Sequence, residues 1–239
     1  MKYDVIALDA PWFFQQRSVW SNSKDDVKKR TKFGGGAGGD GQNSYDLMTD
    51  ERLLQTAPLI KQIAADDAVM FMWACWPRLE IAMEYMKACG FAYKTCAFNW
   101  IKVNKDGSPA YGPGFFTSSN SEPCLLGVKR KSKSGKFSLT PAKRMLNQIA
   151  ETEENLDGED LFEMIFSGDV IKTPRFKHSQ KPETVQDRID LMYPTQNKLE
   201  LFARRTRPGW TATGNQNDTN CMDIFEFLKR EIAENEQNA

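Results

Sequence analysis

Apolar and polar positions along the chain follow two rhythms. Tyr3–Leu8 is a short run of strand formers that ends at Asp9-Ala10-Pro11-Trp12, and it reads as a buried strand stopped by the proline. Leu53, Leu54, Ala57, Ile60, Ile63 and Ala64 fall on one helical face, which predicts a helix over 49–65. Residues 68–74 are continuously apolar and predict a second buried strand. A helix is expected over 77–89, with Pro77 at its start and Gly90 just past its end. Residues 91–103 predict a strand closed by the turn Asn104-Lys105-Asp106-Gly107, and 122–129 a further strand. Later in the chain the pattern gives a helix over 182–192, strands over 198–204 and 209–214, and a closing amphipathic helix over 223–233. Strands interleaved with helices predict an α/β fold, with a mostly parallel sheet covered by helices on both faces.

Two stretches break these rhythms. Residues 13–44 carry mixed charge and then six glycines within Gly34–Gly41, the composition of a long mobile loop. Residues 129–173 read as an inserted segment: a basic run (Lys129, Arg130, Lys131, Lys133, Lys136), a helix from Thr140-Pro141 to Ala150, then an acidic stretch from Glu151 to Asp160.

Composition narrows the chemistry. The chain has 239 residues with 32 basic and 32 acidic side chains, so no net charge advertises a polyanionic partner, and nucleic acid would have to be met by local charge. There is one histidine, His178, which excludes sites needing two. The five cysteines are odd in number and contain no Cys-x-x-Cys pair, which argues against a zinc ribbon, a redox dithiol or a disulfide framework. No metal site is expected. No apolar run reaches the roughly 18–20 residues that span a bilayer, and the first residues lack a signal-peptide profile. The expectation is a soluble cytoplasmic chain with no membrane partner.

Three motifs carry candidate chemistry. Asp9-Ala10-Pro11-Trp12 closes the first strand, where ligands bind in open α/β sheets. A carboxylate and a neighbouring carbonyl there can accept both hydrogens of an exocyclic amine while the ring stacks on its base. An adenine amine is a poor nucleophile because its lone pair is delocalised, and two acceptors localise it for in-line attack on a sulfonium methyl. The tetrapeptide fits equally a strand end whose tryptophan is tucked into the core. The second motif is Lys198–Arg205 followed by Gly209-Trp210 and Gly214-Asn215-Gln216. It reads either as a nucleoside lip, with Arg204, Asn215 and Gln216 on ribose hydroxyls, or as a strand with surface arginines. The third is His178-Ser179-Gln180-Lys181-Pro182, where Lys181 either neutralises a carboxylate near a helix start or is a solvated surface lysine. No triad surrounds His178.

Taken in order, these segments resemble the MT-A-type adenine-N6 methyltransferases. Asp9-Ala10-Pro11-Trp12 stands for the family's Asp-Pro-Pro-Trp, and Tyr45 with Met48-Thr49-Asp50-Glu51 is similar to its Tyr-x-x-Met-Ser/Thr segment. Residues 73–95 resemble its central strand, helix and strand. Residues 112–127, with Asn120, Glu122 and Leu125-Leu126-Gly127, resemble its glycine-led loop and the strand after it. The His178–Pro182, Glu200–Arg204 and Gly209–Gln216 segments complete the series.

The resemblance implies a Rossmann-like S-adenosylmethionine-dependent methyltransferase fold in permuted order, as one methyltransferase domain over residues 1–239. It implies that Asp9 accepts the N6 hydrogens and touches the cofactor, that Pro11 holds the turn, and that Trp12 lines the base pocket. Lys181 would pair with the cofactor carboxylate, Glu200, Phe202 and Arg204 would shape its cleft, and Asn215 and Gln216 would bind its ribose. Tyr45, Asn120 and Glu122 would sit on the acceptor side. Ala10 departs from the family's proline and removes rigidity from the turn while keeping a backbone carbonyl. The activity implied is adenine-N6 methylation of DNA, with the base taken from a single strand or flipped out of a duplex. Phosphates would be gripped by Lys129, Arg130, Lys131 and Lys133, and by Lys28, Lys29, Arg30 and Lys32. An RNA adenine methyltransferase and an inactive nucleic-acid-binding scaffold are the alternatives, and a homodimer is a possible assembly.

Overall fold

The computed structural model describes residues 2–12, 47–112, 117–130, 168–174, 180–214, 217 and 221–237. Seven strands in these residues form one sheet: β1 (Tyr3–Leu8), β2 (Ala64–Trp73), β3 (Ala92–Val103), β4 (Ser121–Lys129), β5 (Val170–Pro174), β6 (Lys198–Leu201) and β7 (Trp210–Thr213). Their spatial order is β5-β3-β4-β2-β1-β6-β7. Every pairing is parallel except those of β4, which runs antiparallel to both β2 and β3. The helices are α1 (Asp50–Ile63), α2 (Leu79–Ala88), α3 (Glu183–Met192) and α4 (Ile224–Gln237). This is the mostly parallel α/β sheet expected of a Rossmann-like methyltransferase.

Alternation along β1 explains the layers. Ile6 and Leu8 point into a core shared with α1, α2 and α4 through Leu53, Ile60, Tyr85 and Phe227. Val5 and Ala7 point to the other face, against Phe71, Trp210 and the α3 residues Val185 and Ile189. Gly127 has a packing reason to lack a side chain. A Cβ there would lie 2.6 Å from Met86 Sδ and 3.1 Å from Phe91 Cβ, so glycine lets α2 press against β4. Among the described residues, no helix is long and apolar enough to cross a membrane.

Most predicted elements stand within a few residues of their expected ends, with three differences. Residues 76–78 form a 3-10 turn before α2, because Arg78 N–H bonds back to the Cys75 carbonyl at 2.8 Å. The strand motif Lys198–Arg204 stops at Leu201, where Phe202 takes a φ of 60° and turns the chain. Val170–Pro174, placed within the inserted segment by sequence, is an edge strand parallel to β3. Its period-2 signal is weak because it is short and mostly exposed. The loop at 13–44, the helix at 140–150 and the acidic stretch lie outside the described residues.

Candidate active site

The carboxyl ends of β1, β2 and β6 meet the amino end of β4, and the charged residues gather there. Asp9 follows β1 directly. Two backbone hydrogen bonds close the turn after it: Trp12 N–H donates to the Ala10 carbonyl (2.8 Å) and Met48 N–H donates to the Pro11 carbonyl (3.0 Å). The second of these bonds ties the turn to the start of α1. Thr49 caps that helix, its Oγ1 accepting from Arg52 N–H at 3.3 Å.

Asp9 does not stand alone. Lys181 Nζ donates to Asp9 Oδ2 at 2.9 Å and lies 3.3 Å from Glu122 Oε2. Glu122 Oε1 in turn accepts from Lys102. Lys102–Glu122–Lys181–Asp9 is thus a chain of alternating charge, with Lys181 also over the Trp73 ring at 5.6 Å and Lys102 over the Trp100 ring at 5.0 Å. Burial alone would raise the Glu122 pKa, but Lys181 and Lys102 outweigh it and hold it at about 2. Glu122 is therefore an anion at any working pH.

On its other side Asp9 borders a cleft of about 370 Å³, lined by Ala10, Pro11, Met48, Phe202, Arg204 and Ile224 among others. The positive φ of Phe202 brings its ring to the wall and carries the chain back so that Ala203 N–H donates to the Thr213 carbonyl at 2.9 Å. Gly214 is required by this close approach, since a Cβ would fall 2.2 Å from the Ala203 carbonyl oxygen. Glu200 does not line the cleft; it lies on the α3 face of β6 and accepts from Gln186 Nε2 at 3.4 Å. Burial first, and the Asp9 charge further, push its pKa up to about 7 against the pull of Arg205.

The cleft fits a nucleoside-sized sulfonium ligand. Its volume lies in the range of small-molecule sites. Its lining is mixed: Asp9, Asp223, Arg52 and Arg204 supply charge, while Pro11, Met48, Phe202 and Ile224 supply apolar surface.

The structure brings together Asp9, Ala10, Pro11, Phe202 and Arg204 around the cleft, and Asp9, Lys181 and Glu122 in one charged cluster. Asn120 lies just before β4, its carbonyl accepting from Lys102 N–H at 2.7 Å. Tyr45, Asn215, Gln216, Lys131 and Lys133 lie outside the described residues, as do His178, Lys28, Lys29, Arg30 and Lys32.

Two further expectations are corrected. Trp12 does not offer its ring to a base. It is 7% exposed, its Nε1–H donates to the Trp73 carbonyl at 3.0 Å, and its ring meets Tyr85 edge-on, so it is a core residue that anchors the turn. Lys129 does not extend a phosphate grip. Its ammonium donates to the carbonyls of Lys61 and Ala64, both at 2.9 Å, where α1 ends. It lies opposite Ala68, seven residues along β4 from Glu122 and so about 23 Å from the cluster. Arg130 follows it at the same end. Sequence reading missed Lys102, whose signal is its place in strand register: Trp100 pairs with Glu122 across the β3–β4 ladder.

Comparison with known proteins gives a consistent picture. The MT-A70 family model matches residues 3–216. The type II methyltransferase M.MunI of a Mycoplasma species is 28% identical over 93% of this chain and 81% of its own length. The human N(6)-adenine-specific methyltransferase METTL4 is 23% identical over 90% of this chain. The human N(6)-adenosine-methyltransferase catalytic subunit METTL3 is 24% identical over 73% of it. The match spans only 37% and 25% of those two human proteins.

Proposed function

Because the chain belongs to the MT-A70 family, we propose that it is an adenine-N6 methyltransferase of nucleic acid, acting on DNA with S-adenosylmethionine as donor. The observation that carries this reading is the position of Asp9. It is shared between a cleft of nucleoside size, lined by both apolar and charged residues, and a cluster containing the cation Lys181. DNA is favoured over RNA because the relative matched along most of both chains is a type II methyltransferase. The adenosine methyltransferases match only part of themselves.

The bound cofactor supplies an electrophilic methyl group on a positively charged sulfur. The residues of this chain do the rest. Asp9 Oδ1 accepts one N6 hydrogen, since Oδ2 is held by Lys181. The carbonyl of Ala10 has a lone pair beyond the one Trp12 N–H uses, and accepts the other. Two acceptors localise the nitrogen lone pair along the line of attack and stabilise the positive charge that develops on N6. The proton later lost from N6 passes to the Asp9 carboxylate. Lys181 fixes that carboxylate's rotamer, and Glu122 fixes Lys181. Arg204 and Phe202 hold the donor against the cleft wall. Asn215 and Gln216 follow Gly214 directly and are assigned to the ribose. Tyr45 and Asn120 are assigned to the acceptor side, and the three motifs together to one methyltransferase domain.

Matched DNA and RNA oligonucleotides, single- and double-stranded, assayed with labelled S-adenosylmethionine, test this. Adenine-N6 label in DNA is expected. Label confined to RNA would transfer the reading to RNA, and no cofactor binding by calorimetry would replace it with a scaffold. Sequencing of modified adenines in DNA from expressing cells gives the recognition site.

A further inference from the structure

An aromatic face stands beside the charged cluster with no role in the chemistry above. Among the described tryptophans, Trp12, Trp73, Trp100 and Trp210 are buried, whereas Trp76 is 46% exposed. An exposed indole usually keeps its N–H for water. Here Nε1–H donates to Ser121 Oγ at 2.9 Å, so the ring is held in one orientation. Trp76 opens the 3-10 turn that follows β2, and that turn is braced at its far end by the Arg78–Asp50 ion pair.

Two chain neighbours place this ring at the site. Ser121, its hydrogen-bond partner, precedes Glu122 directly. Cys75, the residue before it, lies in the field of Glu122, Lys181 and Arg78. The ring is therefore held at the end of β4 that carries Glu122, with Cys75 between it and the cluster. Its polar atom is satisfied, its position is rigid, and what it offers outward is an apolar π surface. Trp12 cannot serve as that surface because its ring is in the core.

We propose that Trp76 is the stacking platform for a nucleobase next to the target adenine. This rests on the reading of the site as an adenine methyltransferase and adds the contact that holds the substrate strand. A π face accepts any base, so the contact fixes the strand without choosing its sequence. Ser121 orients the ring and acts as a positioning residue.

The test uses the intact protein and a labelled oligonucleotide containing an adenine that the wild type methylates. Trp76→Leu is expected to raise the oligonucleotide Kd by about 5- to 150-fold, the range of one lost base–aromatic stack. The kcat at saturation and the S-adenosylmethionine Kd should stay at wild-type values. Trp76→Phe, which keeps the face, should bind nearly as wild type. An abasic site beside the adenine should weaken wild-type binding on one flank and add nothing further in Trp76→Leu. Tyr93→Ala serves as control, because Tyr93 is an exposed aromatic at the opposite end of β3.

An unchanged Kd in Trp76→Leu, or equal weakening by an abasic site in both proteins, overturns the proposal. Should the leucine variant not fold, abasic sites on either flank that leave wild-type Kd unchanged overturn it alone. A wild type that binds the oligonucleotide but methylates no adenine would defeat the methyltransferase reading instead. A Kd rise in Trp76→Leu would still support the platform in that case.

Discussion

Lys181 and Lys129 lie at opposite ends of one sheet and are used in opposite ways. Lys181 faces two carboxylates, Asp9 and Glu122, beside a cleft. Lys129 faces two carbonyls where α1 ends, and neutralises the negative end of that helix. In sequence, one is a lone lysine before a helix and the other heads a run of basic residues, so the run draws more attention. In space the lone lysine is the one that joins two carboxylates beside the cleft. The nature of the facing oxygens separates the proposed reacting end from a structural cap.

The comparison breaks most visibly at Asp9. On the proposed mechanism Asp9→Ala removes the acceptor of the N6 hydrogens, and methyl transfer should fall by about 10³-fold or more with the circular dichroism spectrum unchanged. Turnover near wild type would sink the assignment of this end as the reacting one. Glu122→Gln should act through Lys181, lowering kcat by roughly 10- to 100-fold through misplacement of Asp9, with a smaller change in cofactor affinity. Glu122 also links to stability. Its folded pKa of about 2 lies below the unfolded value, so its contribution is present above the ordinary glutamate range and is lost as pH falls toward 2. The melting temperatures of wild type and Glu122→Gln should converge in that window.

Glu200 has the reverse sign. Its folded pKa of about 7 lies above the unfolded value, so the folded state holds the extra proton between the two. Stability then declines as pH rises through that interval, and above it the buried anion is a full cost. Glu200→Gln should melt a few degrees higher than wild type at pH 8.5 and match it near pH 4. Equal melting curves at both values would remove burial as the cause. The smallest effect belongs to Lys129. Lys129→Met should cost about 1 kcal/mol of stability while leaving turnover and the salt slope of DNA binding unchanged. A flattened slope would return Lys129 to the phosphate contacts.

Residues buried on a single face were the easiest to read. β1, α1, α2 and β4 follow from runs and helical periods because packing repeats along them. β5 did not, since an exposed edge strand of five residues leaves no period to detect. Asp9 and its turn were legible as a motif at a strand end, whereas the ion pair of Lys181 with Asp9 was not, since the resemblance puts Lys181 on the cofactor carboxylate. The inward turn of Trp12 stood in the sequence only as one of two equal readings, because the partners that decide it, the Trp73 carbonyl and Tyr85, lie more than sixty residues away. The same holds for Lys102, whose meaning depends on which strand β3 pairs with. Local rules name the residue types, and only long-range register tells which of them meet.

The left-handed torsion at Phe202 has an outcome for anyone seeking a hardier protein. Glycine there would relax a conformation that costs a bulky residue on the order of 1 kcal/mol. It would also delete a ring that packs against the core, a loss larger than the strain relieved. Heat tolerance therefore gives no drift toward glycine, and the strained torsion persists because its side chain is held by its neighbours.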